Sequence, residues 1–128
     1  MPAARKFEDL LVWAKARRLA AAIDEQCTTP PLSRNFALAD QMRRSSISVT
    51  SNIAEGFELG APRQFRHYLR IAKASLAELR SQLYLCGDRG YIDQQLCDSL
   101  QQQAEEIARM LRSLIRHLET ARPDIGNR

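Results

Sequence analysis

Residues 62–89 read PRQFRHYLRIAKASLAELRSQLYLCGDR, and their spacing decides the fold. Phe65, Leu69, Ala72, Leu76, Leu79, Leu83 and Cys86 recur at alternating intervals of four and three. An α-helix turns once every 3.6 residues, so this pattern lays all seven side chains along one stripe. Sustained over three heptads, it is the seam of a helix that packs lengthwise against other helices. Pro62 suits the first helical position, where the N–H it lacks would be unpaired anyway. Gly90 suits the residue just past the end, which favours left-handed backbone. At 1.5 Å per residue the rod is roughly 40 Å long.

On either side of this rod, prolines and glycines divide the chain into three more segments of helical length. Breaks are read at Pro30-Pro31, at Gly56 and Gly60, and at Gly87 and Gly90. The first helix is predicted over residues 8–27, with Val12, Ala16, Leu19 and Ile23 on one face and Leu10, Leu11 and Trp13 making its start apolar nearly all round. The second is predicted over 33–57, with Leu38, Met42, Val49 and Ile53 as its stripe. Ser46 to Thr50 alternates like a short strand, but the helical stripe runs through it and no turn residue flanks it. The third is predicted over 62–89. The fourth is predicted over 93–121, with Asp93 as N-cap and a broad apolar arc from Leu96 to Leu118, interrupted at Gln103. Short connections make neighbouring helices antiparallel, so the expected fold is all-α: an up-down-up-down four-helix bundle. Residues 1–128 read as one domain, with a core over about 6–121 and a frayed tail from Pro123.

Composition agrees. A chain of 128 residues, 45% of them hydrophobic, is long enough to bury a core without staples. The three cysteines, Cys27, Cys86 and Cys97, form no C-x-x-C pair, and an odd number argues against a disulfide framework and for a reducing compartment. The start has no long apolar region, and no run approaches the roughly 20 residues of a membrane span. A cytoplasmic protein without a membrane partner is expected.

Catalytic signatures are missing. Bundles that hold two metal ions use Glu-x-x-His, but Gln64 and Leu114 stand three residues before His67 and His117. There is no phosphate-binding glycine loop and no zinc cysteine pair. Cys86 lies on the apolar seam, where a cysteine is ordinarily structural. The chain is expected to be no enzyme and to need no cofactor or metal.

Charge is placed unevenly. Lysine and arginine exceed acids by four in the whole chain, and the segment 61–90, with six cations against two acids, holds that entire excess. On the third helix, Arg63, Arg66, Arg70, Lys73 and Arg80 form a cationic ladder beside the seam. A charged row is usually just a solvated face, but a one-sided cationic stripe is also the electrostatic footprint of a polyanion binder. Arg109, Arg112 and Arg116 repeat the spacing on the fourth helix, where Glu105 and Glu106 are expected to pair with Arg109. On the second helix Gln41, Arg44, Ser45, Ser48, Asn52 and Glu55 make a polar stripe beside the apolar one. The facing flank of the third helix carries Tyr68, Ile71, Ser75 and Glu78. A hydrogen-bonded network or an interface is expected there.

The run Gln41-x-Arg43-Arg44-x-x-x-Ser48-x-x-x-Asn52-Ile53-Ala54-Glu55-Gly56 and the run Tyr68 to Leu79 together resemble the signatures of a known family. Phe7, Leu10 and Trp13 match its opening, and Gly90-Tyr91 its third turn. The chain thus resembles the four-helix-bundle proteins also called 23S rRNA intervening-sequence proteins, over about residues 6–120. The resemblance implies a bacterial protein with the same up-down bundle, assembled as a homopentamer around a central channel. Some members are encoded within intervening sequences of ribosomal RNA genes. A related branch serves retroelements as a reverse-transcriptase accessory protein that binds nucleic acid. Ala74 departs from the family's usual glycine, and Ala61 from a common Ser or Thr cap. The expectation is a non-enzymatic homo-oligomer that binds RNA or another nucleic acid through the ladder. The competing expectation is an adaptor that binds a protein through the apolar start of the first helix and the wide arc of the fourth.

Overall fold

The seam of residues 65–86 is buried along its whole length, and the other helices are arranged around it. The computed structural model describes residues 4–120. It contains α1 (Leu11–Cys27), α2 (Phe36–Leu59), α3 (Pro62–Asp88) and α4 (Gln94–Thr120), with 3-10 turns at Phe7–Asp9 and Leu32–Arg34. No strand occurs among the described residues. Packing runs α1–α2, α2–α3, α3–α4 and α4–α1, which closes a ring of four antiparallel rods. The fold is the all-α up-down four-helix bundle. Leu69, Leu76, Leu79 and Leu83 of α3 meet Ile23, Met42, Ile53, Leu100, Ile107 and Leu111 in one core. Burying a side chain of this size contributes about 1.5–3 kcal/mol.

The element boundaries depart from the predicted ones for local reasons. α1 starts at Leu11, not at residue 8, because the Asp9 carboxylate accepts the backbone N–H groups of Arg5 (3.2 Å) and Lys6 (3.3 Å). That turn leaves Leu10 extended, and the Phe7 ring folds back edge-on against Trp13, with centroids 5.0 Å apart. α2 begins at Phe36 because Asn35 caps it, its Oδ1 accepting the Leu38 N–H at 3.2 Å. Ala39 fills the core where Leu38 was expected, and Leu38 is half-buried. The segment 46–50 is helical, with Ser46 and Thr50 hydroxyls donating to the carbonyls of Arg43 and Ile47.

Gly56 and Gly87 do not end helices. Gly56 lies inside α2, where a Cβ would meet the Cβ of Tyr68 at 2.6 Å, so its missing side chain lets α3 approach. Gly87 lies inside α3 against Cys97. The real breaks are Gly60 and Gly90, at φ +82 and +70. The end of α3 is Asp88, one residue early, and Asp93 caps α4 by accepting the Leu96 N–H at 2.7 Å. Gln103 is exposed and Ala104 takes its place in the core, so the apolar arc of α4 continues past it. The predicted end of the fourth helix at 121 and the tail from Pro123 lie outside the described residues.

Candidate nucleic-acid interface

The cationic row of α3 runs beside α4, and α4 neutralises part of it. Arg70 Nη2 donates to Glu119 Oε1 at 2.8 Å, and Arg80 Nη2 to Glu105 Oε1 at 3.2 Å. Arg63 and Lys73 are exposed and reach no carboxylate among the described residues. Arg66 is half-buried, and its Nε has no hydrogen-bond partner. Exposed ion pairs are worth little, typically about 0–1 kcal/mol, so a polyanion can compete for Arg70, whereas the part-buried Arg80 stays bridged to Glu105.

Between the two helices lies an open groove of about 600 Å³, walled by Arg70 and Lys73 from α3 and Arg112 and Arg116 from α4. Ala74, Ala77 and Ile115 complete its lining, together with Glu119. Four cations therefore face one carboxylate across a shallow apolar floor. This contradicts the expected pairing on α4. Glu105 bridges to Arg80, and Glu106 bridges to Lys15 of α1 at 2.8 Å, so neither acid is taken by Arg109. Both stand at the margins of the buried face and reach across to the neighbouring helix. The α3 wall of this groove is legible in the sequence, whereas Arg112 and Arg116 become its other wall only once α3 and α4 pack together. Their one-turn spacing was the available signal.

The polar stripe between α2 and α3 divides in two. Ser48 and Ser75 hydroxyls meet at 2.8 Å, and Asn52 Nδ2 donates to the Ser48 carbonyl (2.8 Å) and Oγ (3.0 Å). Ser45 is buried and donates to the Gln41 carbonyl at 2.9 Å. Tyr68 is half-buried against Gly56. Gln41, Arg44, Glu55 and Glu78 instead have exposed side chains, and Arg44 pairs locally with Asp40 at 2.9 Å. Ser48, Asn52 and Ser75 are thus hydrogen-bonded to one another, while Gln41, Arg44, Glu55 and Glu78 stay in solvent. Gln82, buried on the same flank, leaves its Oε1 without a partner.

Cys86 is fully buried and donates its S–H to Met42 Sδ at 3.3 Å. Burial, reinforced by neighbouring Cys27 and Cys97, pushes its thiol up to about 11. A thiol held protonated is a poor nucleophile. Among the described residues no cluster of three metal-ligating side chains occurs. No described helix is long and apolar enough to cross a membrane. The apolar start of α1 and the arc of α4 do come together: Leu10, Leu11 and Val12 line a groove with Arg109, Met110, Leu114 and His117.

The family model for the 23S rRNA-intervening sequence protein matches residues 8–113. The chain belongs to that family. Among solved structures, the chain is similar to a protein of unknown function from the S23 ribosomal protein family of Bacteroides thetaiotaomicron. The two share 25% identity, with a TM-score of 0.77 over 83% of this chain and 96% of that one. No curated protein matches it.

Proposed function

We propose that this chain is a non-enzymatic nucleic-acid-binding protein that acts as a homo-oligomer and contacts phosphates through the α3–α4 groove. The observation that carries the reading is the convergence of Arg70, Lys73, Arg112 and Arg116 from two helices on one groove that holds a single carboxylate. With a net of about three cations engaged, the affinity for duplex DNA falls with a log–log slope of about −2.7, or roughly 40-fold between 50 and 200 mM salt. Fluorescence anisotropy across a salt series tests it, comparing the parent with K73A/R112A/R116A. These three side chains are exposed, so the variant is expected to fold. Unchanged affinity in the variant overturns the groove's role.

The homo-oligomer, a pentamer by family resemblance, is supported by the outer α2–α3 seam. Exposed Ile71 and Leu85 there flank the half-buried Ser75 and the buried, incompletely paired Gln82. Light scattering at micromolar concentration tests it, and a mass near the 14.6 kDa of the monomer defeats it. A second reading, binding of a protein partner, is favoured by one observation. Leu11 is 59% exposed in the apolar groove between α1 and α4. Copurification of a stoichiometric protein, lost in L11E, would replace the nucleic-acid reading if the purified material also bound no nucleic acid.

A further inference from the structure

We infer that the α3–α4 groove takes the phosphate backbone of a nucleic-acid duplex rather than an extended single strand. The inference rests on the nucleic-acid reading above and names the class of ligand. Two properties of the groove carry it.

The first is the chemistry of its surface. Proteins that hold single strands without sequence preference stack the bases on aromatic side chains, a contribution of about 1–3 kcal/mol per base. The floor here is Ala74, Ala77 and Ile115, and no aromatic side chain lines the groove. The aromatic residues of α3 lie elsewhere. Phe65 is in the core, Tyr68 faces Gly56 of α2, and His67 meets the Tyr68 ring edge-on with centroids 5.5 Å apart. Tyr84 shares the flank but lies seven residues beyond Ala77, about 10 Å along the axis. A single strand in the groove would bring its phosphates to the cations and leave its bases unstacked in water. A duplex arrives with its bases already stacked on one another and has only phosphates to offer.

The second is shape. The groove is an open furrow of about 600 Å³ between two packed helices, with room for one phosphodiester strand and not for a whole double helix. One strand of a duplex can sit in it while the other stays outside. The wall side chains are guanidinium and ammonium groups with no Asn or Gln to read base edges, so the contact positions without specifying. The row from Arg63 to Arg80 extends the cationic flank over about 26 Å of α3, long enough to follow several successive phosphates of one strand. Double-stranded RNA and DNA share this phosphodiester chemistry.

The test measures anisotropy of labelled 20-mers at low salt: duplex RNA, duplex DNA and each component single strand, for the parent and for A74W. Ala74 is exposed on the groove, so tryptophan there supplies the missing platform without entering the core. Circular dichroism verifies the fold of the variant, and A77W, at the neighbouring exposed position, replaces it if it fails. Expected is at least tenfold tighter binding of one or both duplexes than of the single strands by the parent, and at least a fivefold gain for single strands alone in the variant. Equal or tighter binding of single strands by the parent overturns the duplex assignment and leaves the nucleic-acid reading standing. A variant that gains nothing for single strands overturns the stacking argument. No binding of any strand by the parent overturns both readings.

Discussion

Replacing Gly56 by alanine separates close helix approach from the ordinary behaviour of a helical glycine. In an exposed helix interior, Gly→Ala stabilises by about 1 kcal/mol, because alanine loses less backbone entropy. At Gly56 the added Cβ would lie 2.6 Å from Tyr68 Cβ, 3.1 Å from Phe65 Cδ1 and 3.3 Å from the Phe65 carbonyl oxygen. Carbon atoms rest at about 3.5–4.0 Å, so α3 must retreat by roughly 1 Å along its start. Neither Tyr68 Cβ nor a backbone oxygen can rotate away. Overpacking of this kind costs about 1–3 kcal/mol, and where the backbone must move the upper part of that range applies. Set against the propensity gain, G56A is expected to lose about 1–2 kcal/mol, a fall in Tm of roughly 3–10 °C for a chain this size. Thermal and urea denaturation at one fixed protein concentration read it. In a Y68G background, where the worst contact is gone, G56A is expected to cost less. A Tm for G56A equal to or above that of the parent refutes the close approach.

Three further outcomes are expected. Ser75→Ala removes the partner of Ser48 and should lower the urea-unfolding free energy by about 0.5–1.5 kcal/mol, the usual worth of one hydrogen bond. The Cys86 thiol is raised in the folded state, so the stability it contributes is complete below the ordinary value of 9.0 and is lost as pH climbs from there towards about 11. Urea midpoints at pH 7, 9 and 10.5 should fall in that order, and less steeply in C86A. The hydrogen bond from Lys15, with its positive charge, holds the Glu106 carboxyl below the usual 4.5, so that pairing stabilises above this value and is lost as pH falls through the lowered one. Titration of the Glu106 carboxyl by NMR should return towards 4.5 in K15A.

The bundle was legible because burial repeats with the helix. Every residue of the Phe65–Cys86 seam is in the core, and the Asp93 cap and the Gly90 stop are where local chemistry puts them. What escaped was information that no single segment holds. Glycine reads the same in sequence whether it ends a helix, as Gly60 does at φ +82, or admits a neighbouring one, as Gly56 does. Only the distance to α3 distinguishes them. Ser33 and Asn35 are both acceptable caps. The tie is broken by position, since Asn35 also donates from Nδ2 to the Tyr91 hydroxyl, 56 residues away.

The groove was half legible for a related reason. Spacing alone places the α3 cations on one flank, but which of them remain unpaired is decided by acids on other helices. Glu105 has Arg109 one turn away on its own helix, a pair worth a few tenths of a kcal/mol. It turns instead to Arg80, whose side chain is only 33% exposed and whose Nε has no partner. Glu106 likewise takes Lys15, 26% exposed, over the solvated Arg109. A partly desolvated cation left alone costs more than an exposed one, so the acids go where water is scarce. Glu105 and Glu106 are thereby withdrawn from Arg109, which stays solvated beside the α1–α4 groove. The α3–α4 groove keeps its charge for a different reason: its one acid, Glu119, reaches Arg70, and Lys73, Arg112 and Arg116 face the groove with no carboxylate partner among the described residues.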